Sequence, residues 1–156
     1  FRSFAKDGTS HAAMMFLSHW LEMFGKTGRL DIHSSYISGK NVNWGQQGLL
    51  RDTLRRGGAA VVRLDLECWH YVLLTGVDDS SVYLFDPYYI PDPFPVEGVQ
   101  SVHDHPFDYN RIVPIERFDS QEIHPYSFGP YETREAVLLY NGDTMLTQEK
   151  TVEYVI

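Results

Sequence analysis

The chain predicts an α+β domain in which an antiparallel sheet packs on a buried amino-terminal helix, and three observations carry this. Helical patterns come first, over residues 9–24 and 44–56. From Ala59 onward the apolar residues fall in short runs separated by turn residues, the habit of antiparallel strands. The length of 156 residues, 43% of them hydrophobic, fits one domain (1–156) with a packed core.

Each element has its own signal. Thr9 and Ser10 are good caps for the first helix, and Ala12, Ala13, Met15, Phe16, Leu17, Trp20, Leu21, Met23 and Phe24 cover most of its circumference. A helix apolar nearly all round is expected to be buried. Gly25 and Gly28 are expected to end it. Residues 29–42, with Ser34, Ser35, Ser38 and Gly39, read as irregular. Leu49, Leu50 and Leu54 give the second helix its stripe, and Gly57-Gly58 stops it. Strands follow at Ala59–Leu64, Trp69–Thr75 and Ser81–Phe85, the last two joined by a turn at Asp78-Asp79. Four prolines between Pro87 and Pro95 rule out sheet interior and open a long loop reaching about residue 110. Arg111–Ile115 reads as a short strand, Glu116–Glu122 as a helical turn and Ala136–Tyr140 as a strand. Asn141-Gly142 is a hairpin signal with Thr151–Ile156 as its return strand.

The bulk numbers exclude some functions. A formal charge of −8 argues against nucleic acid as a partner, because phosphate binding needs clustered lysine and arginine. The cluster Arg51, Arg55 and Arg56 fits a solvated helix face. Cys68 stands alone, so no internal disulfide forms and the compartment is left open. No apolar run is long enough to span a membrane. The chain opens at Phe1 without methionine, which leaves a preceding signal, propeptide or tag, and both a cytoplasmic and a secreted address, open.

The chemistry concentrates between Gly57 and Tyr89. His70 stands inside an apolar run, and Asp86 is the one charge between Asp78-Asp79 and Asp92. On a strand, His70, Val72 and Leu74 share a face, while Tyr71, Leu73 and Thr75 share the other. Paired residue numbers in an antiparallel hairpin sum to a constant. An even sum near 156 makes His70 and Asp86 direct neighbours on one face, and an odd sum points them apart. A three- or five-residue loop, or one bulge, gives the even sum. Asp86 then fixes the imidazole tautomer and leaves the other ring nitrogen for a reacting group. The alternative is a satisfied, semi-buried histidine beside an Asp-Pro turn.

The run GGAAVVRLD…WHYVLLTGVDDSSVYLFDPYY resembles the second half of the papain-like cysteine peptidases of the bacteriocin leader-processing type, family thirty-nine of that class, and its looser "like" branch. A Gly-rich helix end, a buried strand, His-Tyr opening an apolar strand that ends in Gly, an Asp-rich turn, a strand and Asp-Pro occur in that order. DGTSHAAMMFLSHWLEMFG, about 60 residues before His70, occupies the place of the family's Cys-Gly-Pro-Ala-like helix. The resemblance covers about residues 5–90. It implies a bacterial hydrolase scaffold of papain-like fold, a peptide or leader sequence as ligand, no cofactor, and His70 and Asp86 as retained catalytic positions. A cysteine at a helix amino terminus is a stabilised thiolate, whose proton the histidine takes. Here His11, or Ser10 with a one-residue shift, stands at that position, and Phe1–Lys6 holds no glutamine for an oxyanion hole.

The resemblance therefore implies a peptidase-like pseudoenzyme that binds a peptide or protein segment without thiol protease activity. Two alternatives stand beside it: an active hydrolase using Ser10, His70 and Asp86, and a non-catalytic interaction domain without an open cleft beside His70. Cys68 lies on the same strand face as His70 and reads as an ordinary small residue. His103 and His105, with Asp108 or His124, are weak metal candidates. His19 falls on an apolar helix face, where packing against a carbonyl is expected, and His33 gives no signal. Tyr83, Phe85, Tyr88, Tyr89, Phe94, Phe107, Tyr109, Tyr126, Phe128 and Tyr131 either line a peptide groove or form a cluster beneath the long loop.

Overall fold

Every second residue from Ala60 to Leu66 is buried, so this alternating run forms an inner strand with one face fully in the core. The computed structural model describes residues 9–27, 31–45, 48–88, 90–105 and 107–142. Its elements are α1 (His11–Thr27), β1 (Ile32–Ser38), α2 (Leu49–Arg55), β2 (Ala59–Leu66), β3 (Cys68–Val77), β4 (Ser81–Phe85), β5 (Gln100–Ser101), β6 (Arg111–Pro114) and β7 (Glu135–Asn141). The strands make one seven-stranded sheet of order β1-β7-β2-β3-β4-β6-β5, antiparallel throughout. The arrangement is α+β, with the amino-terminal helix packed on the sheet.

The two faces differ. On one, Ala60, Val62, Leu64, Val72, Leu74, Val82, Leu84, Val113, Ala136 and Leu138 meet Leu50 and Leu54 of α2 and the aromatic group Trp44, Phe118 and Phe128. Each buried valine, leucine or phenylalanine side chain stabilises the fold by roughly 1.5–3 kcal/mol, and each alanine by less. Arg134 ties the loops over this face together. It is 1% exposed, pairs with Asp119 at 2.7 Å and donates to the carbonyls of Gly129, Val42, Asp119 and Ser120. Gly129, at φ +68°, has no room for a Cβ against the Trp69 ring.

The opposite face carries α1, which rests on β1 and β7. The expectation of a buried helix is corrected here. Only Met14 and Ser18 are buried, whereas Phe16 is 70% exposed, Trp20 50% and Met15 54%. The helix lies over the outer two strands, so a single i, i+4 stripe reaches the sheet. Nor does Gly25 end it: the helix runs on to Thr27, and a Cβ at 25 would overlap the Ile32 carbonyl, so glycine here permits close approach to β1. His19 is exposed rather than packed.

Residues 32–38, expected to be irregular, form edge strand β1. Its serines hide the alternation. Ser34 bonds Ser18 through its hydroxyl at 2.9 Å and donates its amide to Glu22 of α1 at 2.8 Å, so a polar strand is held by a helix. The second helix is shorter than expected, and Arg51 is buried rather than on a solvated face. Residues 116–122 hold one 3₁₀ turn, Ile115–Arg117, and the long loop contains β5. The expected return strand at 151–156 lies outside the described residues; both edges of β7 are occupied, by β1 and β2.

Candidate functional site

Strand alternation puts His70 on the core face beside Leu64, its partner across the β2–β3 pair. A bulge between Leu74 and Gly76 then shifts the β3–β4 register, so that Leu74 pairs with Leu84 and Leu73 with Phe85. Continued by one step, that register sets Asp86 opposite Val72, diagonal to His70 on one face. The two side chains meet: His70 Nε2 lies 3.0 Å from Asp86 Oδ1.

Asp86 is fully enclosed, its side chain 0% exposed, and both of its oxygens are engaged. Oδ1 also accepts the Tyr88 amide at 2.8 Å, and Oδ2 accepts the Tyr126 hydroxyl at 3.0 Å. Asn110 clamps the backbone from both sides, accepting the Asp86 N–H and donating to its carbonyl, each at 2.8 Å. Tyr126 stands at φ 68°, a conformation side chains other than glycine rarely adopt, and backbone bonds to Asp65 hold it there. Burial, with the charge and hydrogen bond of Asp86, pushes its phenol strongly upward, so the hydroxyl is a permanent donor.

The second imidazole nitrogen, Nδ1, faces the Cys68 carbonyl oxygen at 3.3 Å. A carboxylate and a carbonyl are both acceptors. A ring that satisfies both carries two N–H donors and is an imidazolium, which has no lone pair to accept a proton. The pKa agrees in direction. Burial, the largest influence, pulls it down, but the Asp86 hydrogen bond, the Asp86 charge, the Cys68 carbonyl and Asp65 together carry it above the ordinary histidine value.

The structure does not bring Ser10 and His11 to this dyad. The amino end of α1 lies on the Tyr71 side of the sheet: the Tyr71 hydroxyl donates to the Thr9 carbonyl at 3.4 Å, and His11 Nδ1 lies 2.8 Å from Glu135 Oε2. Neighbouring residues of a strand point to opposite faces, so the sheet itself separates α1 from the His70 ring. Ser10 serves as a cap, its Oγ accepting the Ala13 amide at 3.2 Å. The expected juxtaposition of helix terminus and imidazole is thereby corrected, and a Ser10–His70–Asp86 triad is not assembled.

His11 instead joins a second polar centre. Glu135 is 1% exposed and accepts from Tyr36 at 2.9 Å, from Tyr71 and from His11. Burial and the Glu135 carboxylate push the Tyr36 phenol up to about 12 and drive that of Tyr71 higher still. In the sequence Tyr126 stands out only as one of the loop aromatics, and Glu135 and Asn110 do not stand out. For Glu135 the available signal was a charge opening an otherwise apolar strand.

Cys68 is exposed at the start of β3. His103 pairs with Asp92 at 2.6 Å, His105 stacks on Tyr109, and His124 Nδ1 faces the Pro125 carbonyl. Among the described residues no group of three or more His, Cys, Asp or Glu side chains is placed to hold a metal ion. Of the loop aromatics, Tyr126 and Phe128 are buried in the core, while Phe85, Tyr88 and Phe107 are exposed. Tyr89 lies outside the described residues. Beside Asp86 a recess of about 220 Å³ opens between Phe85, Tyr88, Ile90, Val102, Asn110 and Arg111. Among the described residues no helix is long and apolar enough to cross a membrane. No family model, no curated protein and no solved structure matches the chain.

Proposed function

We propose that this is a peptidase-like pseudoenzyme domain: a scaffold that keeps a histidine–aspartate dyad for structure and recognition, binds a peptide or protein segment, and does not cleave it by thiol chemistry. The observation that carries this is the donor state of His70. With Nε2 on Asp86 and Nδ1 facing the Cys68 carbonyl, both ring nitrogens meet acceptors, which favours the doubly protonated ring, and the two side chains expected at the nucleophile position lie across the sheet. The recess beside Asp86 favours a ligand-binding domain over an interaction domain with no opening near the histidine. The papain-like ancestry remains part of this proposal, supported by the order of motifs from Gly57 to Asp86 and by the shared face of His70 and Asp86.

The test is a pooled-peptide experiment with two readouts. Mass spectrometry of the pool reports cleavage, and affinity selection on immobilised protein reports binding. Expected are retained peptides, weakened retention with Tyr88→Ala, and no cleavage in protein carrying Cys68→Ser. Cleavage that survives Cys68→Ser and vanishes with His70→Ala would overturn the reading in favour of a hydrolase.

A further inference from the structure

Two buried arginines with opposite surroundings point to the chemistry of the ligand. Arg134 is a satisfied structural arginine: it has the Asp119 carboxylate and four carbonyls as partners. Arg111, at the start of β6, is nearly as enclosed at 4% exposed, yet its guanidinium meets only neutral partners: Nη1 donates to the Asn110 carbonyl at 2.8 Å, and the Tyr126 hydroxyl is its other hydrogen-bonding neighbour. Its Nε is buried and has no partner among the described residues, and its guanidinium lies over the Phe94 ring at 4.9 Å. Arg51 also has an unpartnered Nε, but it lines none of the described recesses, whereas Arg111 lines the one beside Asp86.

Arginine stays charged at every accessible pH, and a buried guanidinium calls for an anion. The nearby carboxylates are committed elsewhere. Asp86 spends its oxygens on His70, the Tyr88 amide and Tyr126, and Asp92 is held by His103 at 2.6 Å. Neither carboxylate makes a direct ion pair with Arg111, although the Arg111 charge, behind the His103 hydrogen bond, helps to hold the Asp92 carboxyl below its ordinary value. The walls of the recess are apolar at Phe85, Ile90 and Val102, and its volume of about 220 Å³ equals that of roughly seven waters. That is room for one residue of a ligand, with a charged group at the floor and an aliphatic or aromatic part along the wall.

We propose that this recess is a carboxylate-binding subsite, in which Arg111 receives the carboxylate of a peptide residue: either the terminal carboxylate of a chain or the side chain of an Asp or Glu. The inference rests on the peptide-binding reading for the kind of molecule that delivers the carboxylate. The fork of the guanidinium matches a carboxylate in plane and spacing, and one planar pair replaces the missing partner without moving the Asp86 network.

Three small probes separate the sources: N-acetyl-leucine (terminal carboxylate), N-acetyl-leucine amide (none) and N-acetyl-glutamate α-amide (side-chain carboxylate). Titration followed by the Nε–H resonance of Arg111 gives both location and affinity. At least one carboxylate probe is expected to shift that resonance, and the leucine amide to bind roughly tenfold or more weakly. Arg111→Gln is expected to abolish the preference. Arg111→Lys, which keeps the charge but loses the fork, is expected to keep only part of it, and covers the case in which the glutamine variant fails to fold. Binding of both carboxylate probes no tighter than that of the leucine amide, no shift at Arg111 with either carboxylate, or an undiminished preference in Arg111→Lys overturns the subsite. Peptides retained regardless of their carboxylates would remove this subsite and leave the peptide-binding reading standing. A carboxylate preference that depends on Arg111, in protein that retains no peptide from the pool, would do the reverse.

Discussion

The sheet carries one buried carboxylate on each face, and each is wired to a histidine and to tyrosine hydroxyl. On the core face Asp86 holds His70 and Tyr126; on the α1 face Glu135 holds His11, Tyr36 and Tyr71. The ingredients match but the enclosure does not. The His70 side chain is 13% exposed and sits on a strand, whereas His11 is 55% exposed on the first turn of a helix. His70 and Tyr71, adjacent in sequence, feed the two centres separately because a strand sends alternate side chains to opposite sides. The difference teaches that a histidine–carboxylate contact is not a site by itself. One contact orders a recess, and the other fastens a helix.

Removing each carboxylate breaks the comparison most severely. Asp86→Ala leaves a buried phenol and a nearly enclosed imidazole unpaired, and is expected to cost about 3 kcal/mol or more in urea unfolding. Glu135→Ala strands two tyrosine hydroxyls that are only partly enclosed, and should cost about 2 kcal/mol by the same measurement. A larger loss at Glu135 than at Asp86 would reverse the ranking of the two centres. Tyr126→Phe deletes one hydroxyl from the Asp86 network and is expected to cost about 1 kcal/mol. Smallest is His11→Ala, at less than about 0.5 kcal/mol, because an exposed partner contributes little to an ion pair. A bigger effect there would make the α1 latch, not the dyad, the stronger of the pair.

The dyad should also give a pH signature. The folded-state pKa of His70 is raised, so its pairing with Asp86 contributes fully below the unfolded value of about 6.5 and is lost as pH rises through the folded value. The stability gap between wild type and Asp86→Asn is therefore expected to narrow with rising pH across that window. A gap that widens would contradict the charged pairing.

Much of the core-face centre was legible because period-two alternation and one bulge determine it. His70 in WHYVLLTG and Asp86 after SVYLF could be placed on strands, and the shared face needed only an even register. Tyr126 was not legible as a partner, since its position comes from a loop folded back on Asp65 and no local period encodes that. The α1 side failed for a different reason. Apolar residues around most of a helix imply burial, but the placement of α1 over β1 and β7 depends on long-range contacts: the Ser18–Ser34 pair, the Glu22 bond to the Ser34 amide, and Glu135 nearly a hundred positions beyond Tyr36. β1 itself went unread because Ser34 and Ser35 interrupt its apolar positions, while the helix above satisfies its edge.

The central claim concerns the protons on one ring, and long-range proton–nitrogen correlation of the histidine imidazoles, followed from pH about 5 to about 9, reads them directly. His70 is expected to titrate above the free-histidine midpoint and, while charged, to show two slowly exchanging N–H protons, with the upward displacement removed by Asp86→Asn. A His70 ring that is neutral at pH about 6, with a bare Nδ1 ready to accept a proton, would contradict it.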